Sequence, residues 1–121
     1  MAVQHYRQLL VWQKAMDLAV LAYEITKRSP KYELFGLTSQ IQRAAASIPA
    51  NIAEGHSRAH TREFLNHLSV PRGSLSELET HLILSQRVGR ITEVEFDEFL
   101  RLSQEVGRML SGLRKSVECR L

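Results

Sequence analysis

The segment between Leu37 and Gly55 constrains the fold of this chain more than any other part of the sequence. Its apolar residues recur every three or four positions, which predicts a helix with one buried face. Pro49 lies inside this pattern, where a proline removes one backbone hydrogen bond and crowds the carbonyl four residues earlier. We therefore predict a kink there, at an intrinsic cost of roughly 3 kcal/mol unless packing compensates. Small residues before the proline allow another helix to approach closely: Ala44, Ala45, Ala46 and Ser47.

Length and composition indicate one globular domain, which we assign to residues 1–121. A chain of 121 residues can bury a single hydrophobic core, and its 44% hydrophobic and 24% charged residues are typical of a soluble protein. Cys119 is the only cysteine, so no internal disulfide can form and a reducing cytoplasm is the expected compartment. We find neither a secretory signal pattern nor an apolar run of membrane-spanning length, and expect no membrane association.

Apolar periodicity predicts a first helix over residues 9–27, and this helix carries two apolar stripes. One stripe suffices for a core seam. The other therefore faces either a second neighbour within the chain or another subunit. The core stripe comprises Val11, Ala15, Leu18, Ala22 and Ile25, and the second comprises Trp12, Met16, Ala19 and Tyr23.

The second helix is predicted over residues 37–53, with a capping box formed by Ser39 and Gln42. Gly55 is expected to end it in the left-handed conformation that glycine adopts at low cost. A third helical segment runs from Thr61 to about residue 88, with Pro71 in its middle. One interpretation divides it into two helices. We favour a single kinked helix, because Leu68, Leu75 and Leu82 keep a seven-residue spacing across the proline.

The last helix has the strongest start signal in the chain. Thr92 and Glu95 have the spacing of a capping box, and Ile91 and Phe96 occupy the positions of a hydrophobic staple. A seam from Phe96 to Val117 follows, with Ser103 as its one polar member. The connections are short, so neighbouring helices should run in opposite directions. The predicted fold is all-α, an antiparallel up-down-up-down four-helix bundle.

Candidate chemistry is sparse. His56, His60, Glu63 and His67 have helical spacing suited to a metal ion, but residues 55–61 resemble a connection that would separate the first two histidines. Exposed histidines are the simpler interpretation, and we assign no metal ligand. Ser74, Ser76 and Cys119 lack a recognisable catalytic partner, and no phosphate-binding loop surrounds Gly73. We predict neither enzymatic activity nor a cofactor.

Charge is uneven along the chain. The net charge is +3, and residues 1–62 carry eight basic and four acidic side chains. The densest basic neighbourhood contains Arg43, Arg58 and Arg62, and it is the candidate nucleic-acid surface. It lacks interleaved aromatic residues and any helix-turn-helix pattern, so only contact with a phosphate backbone through shape and charge fits it.

Several blocks, in order along nearly the whole chain, resemble four-helix bundle proteins of the 23S ribosomal RNA intervening-sequence family. They are residues 9–18, 37–41, 47–55, 63–64 and 72–80. Pro71 departs from the resemblance, because the family commonly has alanine there. The structural or assembly positions carried by the matching blocks are Trp12, Pro49, Asn51, Glu54, Gly55, Arg72, Gly73, Glu77 and Glu79.

The resemblance implies a small bacterial cytosolic protein that assembles into a ring-like homopentamer. The bundle is also similar to the accessory protein of diversity-generating retroelements, a basic pentamer that works with a reverse transcriptase and RNA. Two functions follow as expectations. The first is a homo-oligomer that binds RNA or a nucleoprotein partner through its assembled basic surface, and the alternative is a metal- or small-molecule-binding bundle.

Overall fold

A computed structural model describes residues 5–29, 31 and 36–121, and helices account for the regular secondary structure of these residues. After a short 3-10 turn at Tyr6–Gln8, five helices follow: α1 (Leu10–Thr26), α2 (Leu37–His56), α3 (Thr61–His67), α4 (Ser69–Arg87) and α5 (Glu93–Glu118). Helices α3 and α4 follow one another directly and together take one of the four helix positions, so the molecule is a four-helix bundle. The predicted all-α class is confirmed. None of the described helices is long and apolar enough to cross a membrane.

The helices form a closed ring of neighbours. Helix α1 packs against α2 and α5, and α4 packs against the same two helices. The α1/α2 seam and the α4/α5 seam therefore lie on opposite sides of the bundle. Cross-helix pairs give the directions. Arg43 and Ser47 of α2 pair with Glu77 and Ser74 of α4, so residue numbers rise along one helix as they fall along the other, and these two helices are antiparallel.

Most residues of the predicted core seams are buried. All five residues of the α1 core stripe are at most 5% exposed, and α5 contributes Phe99, Val106 and Val117 with no exposure. Ser103, the polar member of the α5 seam, is also fully buried, and its hydroxyl donates a hydrogen bond to the Glu79 carboxylate. This bond satisfies a polar group that would otherwise destabilise the core.

Two predicted details of α2 are wrong. The helix begins at Leu37 after Gly36, which makes no side-chain cap, and Gln42 donates instead to the Thr26 hydroxyl at 3.1 Å. Ser39 is thus an interior helix residue rather than a cap. Gly55 does not end the helix, which continues to His56. Among the described residues only Gly89 has a positive φ, 77°, where it closes α4.

The third segment also differs from the favoured prediction. The structure contains two helices, α3 and α4, separated only by Leu68. Pro71 lacks an N–H group and its ring crowds the carbonyl of His67, which explains why α3 ends at that residue. Leu68 keeps helical backbone angles, and its carbonyl accepts from the Arg72 N–H at 3.4 Å. The alternative of two helices is correct, although no loop intervenes.

The predicted capping box of α5 is confirmed. The Glu95 N–H donates to the Thr92 hydroxyl at 3.1 Å, and the Thr92 N–H donates to the Glu95 carboxylate at 2.9 Å. Arg28 also forms an ion pair with Glu95. The hydrogen bond from the Thr92 backbone, together with Arg28, lowers the pKa of Glu95 below its ordinary value of 4.5.

Candidate functional site

An apolar groove of about 730 Å³ runs along the α1/α2 seam. Its α1 wall contains the second apolar stripe predicted for that helix, together with Val20, which was not assigned to the stripe; Met16, Val20 and Tyr23 are 39%, 53% and 48% exposed there. Trp12 is half-buried at one end, with the Tyr6 ring packed edge-on at 5.3 Å. Apart from Gln42, the α2 wall is made of small residues and the buried proline: Ala46, Pro49, Ala50 and Ala53.

A ladder of polar contacts follows the opposite side of α2, where that helix faces α3 and α4. Arg43 contacts the Glu77 carboxylate at 2.6 Å, and the hydroxyls of Ser47 and Ser74 share a hydrogen bond of 2.8 Å. Asn51 continues the ladder by donating to the Ser47 carbonyl at 2.8 Å. The first two contacts cross from α2 to α4 and move down α4 as they move up α2, so they fix the register of the two helices, whereas the Asn51 contact lies within α2.

The ladder ends where α2 meets α3. The Asn51 side-chain oxygen lies 3.1 Å from the His67 ring, which is 3.7 Å from the Glu54 carboxylate. Arg58 pairs with the same carboxylate at 2.9 Å. Gly55 is buried at this junction, and a Cβ atom there would lie only 3.2 Å from both the Phe64 and His67 rings. Glycine therefore permits the close approach of α3 to α2.

The three arginines of the predicted basic neighbourhood do not form one patch. At about 1.5 Å per residue, Arg43 lies roughly 20 Å before the end of α2, whereas Arg58 and Arg62 flank the connection to α3. Arg43 and Arg58 are paired with Glu77 and Glu54. Of the three, Arg62 is exposed on α3 without such a pair. The local density seen in the sequence overstates the positive charge that this surface presents.

The histidines whose spacing in the sequence suits a metal ion also lie apart from one another. His56 packs edge-on against Phe64, with ring centroids 5.7 Å apart, and His60 precedes α3, where its ring lies 3.9 Å from Glu63. His67 points into the polar ladder. Within the described part of the chain, no group of three histidine, cysteine, aspartate or glutamate side chains is placed to hold a metal ion.

A second cleft, of about 760 Å³, lies on the α4/α5 seam and was missed by the sequence analysis. Arg72 and Glu79 line it from α4, and Arg108, Arg114 and Lys115 line it from α5. Gly73, next to Arg72, lies in open space. A signal for this cleft exists along α5, where acidic residues cluster in the first half and basic residues in the second. Counting charge over half the chain conceals that gradient.

The side chains that could act as nucleophiles lie in surroundings that do not form a catalytic site. Ser74 shares its hydrogen bond with Ser47, Ser76 lines the α4/α5 cleft, and Cys119 is exposed just beyond α5. None of these contacts joins a nucleophile to a histidine base. The groove, the ladder and the cleft are therefore the candidate interaction surfaces.

Comparison with known proteins agrees with the fold. A crystal structure of a protein of unknown function from the S23 ribosomal protein family of Bacteroides thetaiotaomicron superposes with a TM-score of 0.78 at 27% sequence identity, covering 88% of this chain and 99% of that one. The chain has no significant match among curated proteins. The profile of the 23S rRNA-intervening sequence proteins matches residues 7–112. Because this match spans most of its length, the chain belongs to the 23S rRNA-intervening sequence protein family.

Proposed function

We propose that this protein is a non-enzymatic homo-oligomer whose subunits assemble through the α1/α2 groove and whose combined basic surface binds RNA or a nucleoprotein partner. The observation that carries the proposal is the groove itself, in which an exposed apolar stripe faces a wall of alanines. Helices approach one another most closely where one side is built from small residues. A second copy of the chain is the occupant that this shape fits best.

The charge distribution in the groove supports a protein occupant. Its charged lining residues are Glu24 and Lys27, both near the end of α1, and the remainder of the α1 wall is apolar or aromatic. The centres of protein interfaces are depleted of charge and rich in Tyr, Trp and Met. Trp12, Met16 and Tyr23 match that composition. The pentameric state comes from the family resemblance, and a ring requires the groove to meet a different surface of the next subunit.

Assembly would change how the protein interacts with a polyanion. One subunit carries a net charge of +3, which attracts RNA weakly, and a pentamer would carry about five times that charge. Repeated contacts raise avidity by orders of magnitude without any new contact in each subunit. The similarity to the retroelement accessory protein, which works with RNA, points in the same direction. Arg43, Arg58 and Arg62 are one candidate surface for the RNA.

Light scattering tests the assembly. We expect a mass of about five times 13.8 kDa at micromolar concentration. Val20→Glu places a charge in the groove and should lower that mass, because a carboxylate buried in an apolar interface is unpaired. Val94→Glu is the matched control, since Val94 is 77% exposed and does not line the groove. A wild-type mass of 13.8 kDa, or equal masses for the two variants, contradicts assembly through this groove.

RNA binding is tested by titrating structured RNA at about 50 and 200 mM salt, with the Arg43, Arg58 and Arg62 triple alanine variant alongside. Phosphate contacts release counterions, so the affinity should fall steeply between the two salt concentrations. Co-purification of ribosomal RNA with the native protein would agree. Wild-type protein that does not bind at low salt would leave a role in protein-only interactions.

The alternative is a binding protein for an apolar small molecule. The groove volume falls within the range of roughly 300–1,000 Å³ that ligand pockets occupy, and its lining is largely apolar. Native mass spectrometry would detect a retained ligand, and elemental analysis would detect a metal. A stoichiometric ligand in the groove together with a monomeric mass would favour this alternative over assembly.

A further inference from the structure

We infer that the α4/α5 cleft, rather than the region around Arg43, Arg58 and Arg62, is the site that holds the phosphate backbone of RNA. This inference rests on the proposed RNA binding and assigns it to particular residues. Four cationic side chains line the cleft, Arg72, Arg108, Arg114 and Lys115, and Glu79 is its one acidic member. The lining is therefore strongly positive although the whole chain has a net charge of only +3.

Three of the four cations are available to a ligand. Arg114 pairs with Glu118 at 3.1 Å, but the side chains of Arg72, Arg108 and Lys115 make no hydrogen bond or ion pair with any residue that the structure describes. All three are exposed. An acid lies within 4 Å of Lys14, Arg28, Arg43 and Arg58, whereas Arg62, like the three cleft cations, has no such partner among the described residues.

The acidic side chain that lines the cleft, Glu79, already accepts a hydrogen bond. The Glu79 carboxylate accepts the hydrogen bond from buried Ser103, which holds it against the seam between the helices. Ser76 and Ser111 offer hydroxyl groups in the same lining, and Gly107 and Gly112 leave the α5 wall without side-chain bulk. A phosphate could thus approach the α5 backbone between arginine side chains, which bind phosphate oxygens with two parallel N–H donors.

The arrangement of the cationic side chains favours a polymer of phosphates over a single phosphate as the ligand. Arg108 and Lys115 are separated by two turns of α5, roughly 10 Å at about 1.5 Å per residue. A row of this length can contact successive phosphates along one strand, whereas a single phosphate would engage only part of it. Among the residues that the structure describes, none that lines the cleft is aromatic. Stacking on bases is therefore not available, and the site reads the backbone without sequence preference.

Position on the bundle also suits this role. The α4/α5 seam lies opposite the α1/α2 groove, because α1 and α4 each pack against both α2 and α5. A subunit that buries its α1/α2 groove in assembly keeps the cleft open to RNA when the surface that receives the next subunit's groove lies elsewhere on the bundle than the α4/α5 seam. Each subunit of an oligomer would then carry one copy of the cleft, as multivalent binding of a long RNA requires.

The test compares two triple variants that remove the same charge. Arg72→Gln, Arg108→Gln and Lys115→Gln neutralise the cleft, and Arg43→Gln, Arg58→Gln and Arg62→Gln are the control. Each is titrated with a structured RNA at several salt concentrations, after light scattering and circular dichroism have verified mass and folding. We expect the cleft variant to make the fall of log affinity with log salt less steep by about two to three, since each of three lost phosphate contacts contributes roughly 0.7 on a single strand and 0.9 on a duplex, and the control to change it much less.

Glu79→Gln is expected to change RNA affinity in the opposite direction. It removes the one negative charge from the lining while keeping an acceptor for Ser103, so RNA affinity should rise. Equal losses in the two triple variants, a larger loss in the control, or weaker binding by Glu79→Gln each overturn the assignment of the cleft while leaving RNA binding intact. An equal effect of the cleft variant on binding of poly-glutamate would overturn it in favour of acidic proteins. Wild-type protein that binds no RNA contradicts both the assignment and the proposed function.

Discussion

Two glycines that both lie inside helices should respond in opposite ways to alanine. Gly55 and Gly73 both lie in helices, and neither has a positive φ. A glycine in a helix costs about 0.5–1 kcal/mol relative to alanine, because it loses more backbone entropy on folding. Propensity alone therefore predicts that both Gly55→Ala and Gly73→Ala stabilise the protein.

The surroundings of the two residues change that expectation. A Cβ at Gly73 meets no atom within 4 Å, so Gly73→Ala should raise the free energy of unfolding by about 0.5–1 kcal/mol. A Cβ at Gly55 would lie 3.2 Å from both the Phe64 and His67 rings. Phe64 is buried and His67 is held by Asn51, so neither can move freely. Overpacking costs about 1–3 kcal/mol, which exceeds the propensity gain.

The assay is urea denaturation followed by circular dichroism, with all variants at one protein concentration, because assembly makes stability depend on concentration. We expect Gly55→Ala to lower the free energy of unfolding by about 1 kcal/mol after the propensity gain is included, and Gly73→Ala to raise it. Stabilisation by Gly55→Ala would show that α3 is free to move away from α2. Destabilisation by Gly73→Ala would show that this open position is covered in the assembled protein.

Three further predictions concern Pro49 and the start of α5. Pro49→Ala should disturb assembly despite the better helix propensity of alanine, because Pro49 is buried in the groove wall; an unchanged oligomer mass with a raised melting temperature would contradict this. Thr92→Ala should lower the free energy of unfolding by about 1 kcal/mol through loss of the cap, whereas Ser39→Ala, at the wrongly predicted cap, should not. Because the pKa of Glu95 is lowered on folding, its stabilising contribution is complete above about pH 4.5 and is lost as pH falls through the lowered pKa. The difference in stability between wild type and Glu95→Gln should therefore shrink on acidification, and a constant difference down to about pH 3 would refute this cause.

Periodicity predicted the helices well because burial depends on which face of a helix a residue occupies. Val11, Ala15 and Leu18 could therefore be assigned to the core from spacing alone, and each is buried. Capping signals were less reliable. Thr92 with Glu95 and Ser39 with Gln42 have the same spacing, but only the first pair follows a break in the helix. The spacing is a helical one, so it also occurs inside helices.

Features that depend on two distant segments could not be predicted in the same way. Gly55 has the sequence signal of a helix end, yet its role comes from the approach of α3, which local sequence does not encode. Arg72 lies far along the chain from Arg108 and Lys115, and only the packing of α4 against α5 makes them neighbours. Arg43 shows the converse, since the sequence placed it in the candidate nucleic-acid surface and the structure pairs it with Glu77.

The opposite positions of the groove and the cleft link assembly to RNA binding. A single cleft with about three phosphate contacts binds weakly at physiological salt, and linked copies of it bind far more tightly. Val20→Glu should therefore weaken RNA binding by more than its one added negative charge explains, even though it leaves every residue of the cleft intact. Val94→Glu adds the same charge outside the groove and should retain both the oligomer mass and most of the affinity. Equal RNA affinities for the two variants, measured where Val20→Glu is a monomer, would show that one subunit suffices and that assembly serves a different purpose.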